Sequence, residues 1–120
     1  MPTSPPRFII TPNALADRDT GLEWAPAPAA LPVVWAEASA AAETTGRRLP
    51  TARELMTLLT GLPPFSGMPG TGDVLWCSGG SPFAPSSRVR AVACDGPTGF
   101  VVVLLDRTDR ARWWGVRSLR

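Results

Sequence analysis

The order of local patterns predicts an α+β domain, with two helices packed on a twisted antiparallel sheet. Three observations carry this. Apolar residues recur at helical spacing over Val33–Thr45 and again after Thr51. Short runs with strand character, bounded by Gly, Pro, Asn and Asp, stand before the first helix and after the second. From Val74 onward the chain alternates strand and turn signals, which reads as an antiparallel meander.

Taken in order, residues 1–6 are Pro-rich and predict an extended arm ahead of a single domain over 7–120. Arg7–Thr11 reads as a short strand and Ala14–Ala16 as a second, separated by Pro12-Asn13. Asp17–Gly21 is a turn, where Asp side chains bond nearby backbone and Gly21 takes a positive φ. Leu22–Ala25 follows as a strand, and Pro26, Pro28 and Pro32 hold a loop. The helix pattern over Val33–Thr45 has a face of Trp35, Ala38, Ala41 and Ala42, small enough for close approach, and Gly46 stops it.

The stretch Arg47–Leu59 carries the strongest local signal. Thr51 and Glu54 have capping-box spacing: the Thr51 hydroxyl accepts from the Glu54 N–H, and the Glu54 carboxylate accepts from the Thr51 N–H. Pro50 and Leu55 can close over the cap as a hydrophobic staple. Leu55, Met56, Leu58 and Leu59 form the apolar face, and Gly61 with Pro63-Pro64 ends the helix. Beyond it, 61–73 and 79–87 read as loops, with Val74–Ser78 as a strand between them. Arg88–Cys94 reads as a half-buried strand. Gly99–Leu105, β-branched and without alternation, reads as a central strand covered on both faces. Arg112–Arg117 is expected as the last strand, with Trp114 and Val116 on the core side and Trp113 sharing the other face with Arg117.

Composition narrows the function classes. In 120 residues, 44% are hydrophobic and 18% charged, which suits a packed core rather than a disordered chain. The longest apolar run, Phe100–Leu105, has strand length, so no membrane insertion is expected. The start MPTSPPRFII lacks the charged, apolar and small-residue regions of a secretory leader, which predicts cytoplasmic synthesis with a virion or extracellular destination left open. A net charge of +2 is too small to argue for nucleic acid. The chain has no His, and its two cysteines, Cys77 and Cys94, lack metal-ligand spacing. No Gly-rich phosphate loop joins a strand to a helix, so no cofactor and no metal is expected. Without His, and with Glu54 committed to the cap, general acid–base catalysis has no constellation to use.

Several short motifs then line up: DTGLEW at 19–24, WAEA at 35–38, RLPT at 48–51 followed by Glu54-Leu55, Trp76-Cys77-Ser78, and VRSLR at 116–120. In this order they resemble the Lcl C-terminal domain family, whose fold is similar to the C-type lectin-like fold. The resemblance covers Asp17–Arg120. Arg47 stands where that family usually has Trp, and Val74-Leu75 where polar or aromatic residues are common. The resemblance implies a non-enzymatic recognition module, a bacterial adhesin or phage tail-fibre tip that binds a surface glycan or protein receptor, as a homo-oligomer or part of a larger assembly. A structural adaptor or decoration domain is the alternative. A formylglycine-generating-enzyme-like oxidase is a weaker one, suggested by that shared fold and by a cysteine pair.

Within these readings the candidate ligand-binding residues are Arg107, Arg110, Arg112, Trp113 and Arg117 on and after the last hairpin, since Arg forks suit carboxylate, sulfate and phosphate and an exposed Trp suits a sugar face. Their alternative role is a solvated turn with Trp113 covered at a sheet edge. Phe65, Met68 and Phe83 are candidate docking residues in the loops. Trp24, Trp35, Trp76, Thr51 and Glu54 are expected to be structural, and Arg48 to pin the loop ahead of the capped helix. Cys77 and Cys94, on neighbouring strands, are expected as buried reduced thiols.

Overall fold

The computed structural model describes residues 6–61, 69, 72–78, 88–94 and 99–119. Its elements are β1 (Phe8–Ile10), β2 (Leu15–Asp17), β3 (Leu22–Trp24), α1 (Trp35–Thr44), α2 (Ala52–Gly61), β4 (Val74–Trp76), β5 (Arg88–Cys94), β6 (Phe100–Asp106) and β7 (Val116–Ser118). The class is α+β, with two helices and two antiparallel sheets in place of the single sheet expected. One sheet has the order β1-β2-β3-β7, and the other β4-β5-β6. Among the described residues no helix is long and apolar enough to cross a membrane.

Local chemistry explains most of these elements. The β2–β3 turn closes as its composition demands: the Asp19 N–H donates to the Asp17 carboxylate at 3.1 Å, and Gly21 has φ 69°. Helix α1 starts two residues later than its pattern suggests and ends at Thr44, with Gly46 just beyond the C-cap taking φ 75°. The capping box of α2 forms in both directions, with the Thr51 N–H donating to Glu54 Oε1 at 2.9 Å and the Glu54 N–H to Thr51 Oγ1 at 3.1 Å. Leu55, Leu58 and Leu59 are buried, and Pro50 is buried beside the cap.

Strands β4 and β5 lie between two apolar clusters. Leu75, Val92 and Cys94 face the larger one, with Leu15, Trp24, Trp114, Val116 and the leucines of α2. Trp76, Val89 and Ala91 face the smaller, with Ala38 and Ala42 of α1 and Leu49. Ala38 and Ala42, on the small-residue face of α1, are fully buried in this cluster.

Three expectations are corrected here. The strand covered on both faces is β5, not the apolar run that forms β6. β6 is the edge of its sheet, with Val101, Val102 and Leu104 exposed by 48%, 42% and 44%. Strand order, which local composition does not encode, decides which strand is central. Arg112–Arg117 is likewise not one strand. Its backbone bonds a series of different partners: Ala111 exchanges hydrogen bonds with Val33, Arg112 bridges Val74 and Trp76, the Trp113 carbonyl accepts from Ala29, the Gly115 carbonyl from Ala25, and Val116 exchanges with Arg48. A segment divided among so many neighbours cannot form one ladder, and regular pairing with β3 resumes only at Val116. This segment stitches the two sheets together, and its divided bonding is why the sheet is split. Ala14 is also not part of the second strand, which is shifted to Leu15–Asp17.

Candidate functional site

The candidate residues of the last hairpin do not converge on one spot. Arg107 lies over the Trp35 ring, 4.7 Å from its centroid, a cation–π contact at the margin of the smaller cluster. Trp35 is half-buried and donates its Nε1–H to the Cys77 carbonyl at 3.0 Å. Arg117, 49% exposed on β7, donates to Glu23 Oε1, which also accepts from Arg47 at 3.2 Å. Trp113 is half-buried against the smaller cluster. Only Arg110 and Arg112 come together.

These two line an open groove of about 330 Å³ with Ala30, Pro32, Gly72, Asp73, Val74 and Ala111. Arg112 is fixed there. Its Nε donates to the Ala29 carbonyl at 2.8 Å and its Nη1 to Asp73 Oδ2 at 3.1 Å. The planar fork of Arg makes this possible, because one side chain can span a carbonyl and a carboxylate at fixed angles. The remaining guanidinium donors are held in place at low entropic cost. Arg110 is exposed beside it, and among the described residues no carboxylate pairs with it. The groove thus joins an ordered cation, an adjacent solvent-facing cation, one acid and an apolar wall of Ala30, Pro32 and Val74.

Asp73, Ala30 and Pro32 were not singled out by sequence reasoning. Asp73 ends the 61–73 loop, and nothing local ties it to an arginine 39 positions away. Phe65, Met68 and Phe83 lie outside the described residues.

A second open groove, also about 330 Å³, lies between the β2–β3 turn and the start of α2, lined by Thr20, Leu22, Thr51, Arg53, Glu54 and Thr57. Its polar groups are largely committed. Glu54 accepts a two-pronged pair from Arg48 at 2.8 and 2.9 Å as well as the Thr51 N–H. The Arg48 hydrogen bonds hold the Glu54 carboxyl below its ordinary value, against the opposing effect of burial. Arg48 also donates to the Leu49 carbonyl at 3.2 Å, the pinning role expected of it.

Trp24 and Trp76 are fully buried, and Trp76 Nε1 donates to the Val33 carbonyl at 2.8 Å. Cys77 and Cys94 are free and buried. They occupy opposite ends of the β4–β5 pair, since the Cys77 N–H donates to the Arg90 carbonyl and the Cys94 N–H to the Asp73 carbonyl. Four strand positions at ~3.3 Å each separate them by roughly 13 Å, beyond disulfide reach. Burial pushes the Cys77 thiol up to about 12, against a small opposing effect of Arg90. Among the described residues no group of three or more His, Cys, Asp or Glu side chains could hold a metal ion. No family model matches the chain, and no curated protein or solved structure matches it significantly.

Proposed function

We propose that this chain is a non-enzymatic ligand-recognition module of the C-type lectin-like kind, taking an acidic group of a surface glycan or protein receptor into the groove at Arg110 and Arg112. The observation that carries this reading is the immobilised Arg112 guanidinium beside the exposed Arg110 on a partly apolar wall. Carboxylate or sulfate oxygens suit such a pair, because charge-assisted bonds to a held fork are strong and directional. The apolar wall would take a sugar ring or a short side chain. One small open groove gives weak binding, so display in several copies on a fibre or adhesin would raise avidity.

An array of neutral and acidic glycans, probed at two salt concentrations with the wild type and Arg110→Ala, tests this. The expected result is binding to acidic members only, reduced by salt and lost in Arg110→Ala without loss of folding. Binding that ignores salt, or that survives Arg110→Ala, overturns it.

The exposed β6 residues favour a second reading, a structural adaptor that docks on a larger assembly. Stable co-purification with a particle, together with no glycan binding, would select it. The oxidase reading draws on a cysteine pair, and Cys77 and Cys94 stand at opposite ends of the β4–β5 pair, which gives it no support.

A further inference from the structure

We infer that β6 is a self-pairing edge, through which two copies of this chain join their three-stranded sheets into one continuous antiparallel sheet about a two-fold axis at Val102. The inference is independent of the groove.

The backbone directions follow from the ladder. Even-numbered residues of β5 aim their amides at β4, as the Cys94 N–H to Asp73 and the Arg90 carbonyl to Cys77 show. The odd-numbered residues therefore bond β6, where Val89, Ala91 and Ala93 stand opposite Leu105, Val103 and Val101. The N–H and C=O groups of Phe100, Val102 and Leu104 are left facing outward, and among the described residues nothing pairs with them. At the end of the strand, Asp106 is closed off by its own turn: its N–H donates to the Asp109 carboxylate at 3.0 Å, and its carbonyl accepts the Asp109 N–H at 2.9 Å. The free edge is thus Phe100–Leu105.

That edge fits a second copy of itself. Two-fold pairing requires a strand whose residues are acceptable partners when the order is reversed. With Val102 opposite Val102 of the second copy, Phe100 meets Leu104 and Val101 meets Val103. Every cross-strand pair is apolar, and all three outward-facing residues enter the ladder. No like charges meet: Arg90 stands opposite Leu104, one strand back from the seam and on the far side of the axis from its copy, and Arg88 and Asp106 oppose each other at the strand's end within each copy. The edge also lacks the lysine or proline that keeps exposed strands apart. A lone strand edge buries less than the ~800 Å² per partner of a standard interface, so the pair should exchange with monomer in the micromolar range.

Sedimentation velocity across that range tests the inference, using wild type, Val102→Lys, Val102→Glu and an equimolar mixture of the two variants. Val102 is 42% exposed, so both variants should fold, and circular dichroism checks this. The wild type should shift from monomer to dimer with concentration. Each variant alone should stay monomeric, because it sets like charges against each other on the axis. The mixture should recover dimer. Amide exchange on the unmodified protein gives a second readout, with concentration-dependent protection at Val102 and Leu104 and none at the α2 amides. A wild type that stays monomeric, a single variant that still dimerises, a mixture that does not, or amide protection independent of concentration would each overturn the pairing.

Discussion

Trp24 and Trp114 meet edge to face with ring centroids 5.7 Å apart and planes at 64°, yet among the described residues only one of these two fully buried indoles satisfies its N–H. Trp114 Nε1 donates to the Ala25 carbonyl at 2.7 Å, while Trp24 Nε1 has no partner among the described residues. An unmet buried donor carries its full desolvation cost, and a met one does not. Trp24→Phe therefore loses packing but also removes that cost, whereas Trp114→Phe loses packing and strips Ala25 of its donor. Trp114→Phe should be the more destabilising by about 1–2 kcal/mol. Urea unfolding of both variants measures the difference, and equal costs would show that the Trp24 N–H is not truly unmet.

Among the described residues, Arg7 and Asp17 make the one ion pair with a fully buried carboxylate. Arg7 donates through Nε at 2.9 Å and Nη2 at 3.0 Å, and Asp17 is 1% exposed. Burial alone would push the Asp17 carboxyl up. The Arg7 hydrogen bonds, helped by Thr20, the Arg7 charge and the Asp19 N–H, outweigh it and hold the carboxyl below its ordinary value. A carboxyl depressed in the folded state stabilises the fold fully above its unfolded pKa of ~3.9, and that contribution fades as pH falls through the folded value. Asp17→Asn should cost about 2–4 kcal/mol at neutral pH, since it leaves Arg7 without its main partner, discounted for Arg7's partial exposure. The variant should also lose less stability than wild type between about pH 5 and pH 2. Parallel acid-unfolding curves for the two proteins would refute this assignment.

The parts of this fold that were legible in the sequence are those set by residues a few positions apart. Thr51 and Glu54 announced their cap, Gly21 and Gly46 their left-handed turns, and the leucines of α2 their buried face. The parts that were not legible depend on which distant segments meet. Phe100–Leu105 is more apolar than Arg88–Cys94 and so reads as the inner strand. The order β4-β5-β6 reverses that, because the last strand of a meander takes the edge unless something returns to cover it. The arginines of the last hairpin look like one cluster along the chain. In space they serve Trp35, Asp73 and Glu23 separately, and only Arg110 and Arg112 share a groove.

Arg112 offers a test of that groove's construction. Lysine keeps the charge, but its single ammonium lacks the fork that spans the Ala29 carbonyl and the Asp73 carboxylate. Arg112→Lys should cost about 1–2 kcal/mol, whereas Arg110→Lys, at an exposed position, should stay within ~0.5 kcal/mol of wild type. Thermal unfolding of the pair decides it. Equal effects would mean that Arg112 is held no more firmly than Arg110.

The α2 cap separates two contributions that share one carboxylate. Thr51→Ala removes a hydroxyl acceptor and should cost about 1 kcal/mol. The Arg48–Glu54 pair is closely matched in geometry, but Arg48 is 48% exposed, so solvent screens it. A double-mutant cycle over Arg48→Ala and Glu54→Ala should give a coupling of about 0.5–1 kcal/mol. Because Glu54 is depressed in the folded state, that coupling is present above its unfolded pKa of ~4.3 and should vanish as pH falls through the folded value. A coupling that persists at acid pH would place the interaction in packing rather than charge.

The two thiols provide the last test. Cys77, pushed up to about 12 by burial, has a thiolate fraction of only about one part in ten thousand at pH 8. Burial and the Asp73 charge raise Cys94 as well, with Arg112 opposing. The thiolate is the reactive form, so neither thiol should react with a disulfide reagent in the folded protein at a rate above that of opening. Labelling should therefore follow unfolding, accelerating with urea in step with loss of structure. Mild oxidation of the folded chain should produce no internal disulfide, because Cys77 and Cys94 sit at opposite ends of β4 and β5. Rapid labelling of native protein, or an internal disulfide formed without unfolding, would require the two strand ends to approach. The β4–β5 register, with Leu75 opposite Val92 and both fully buried, does not permit that approach without breaking the sheet.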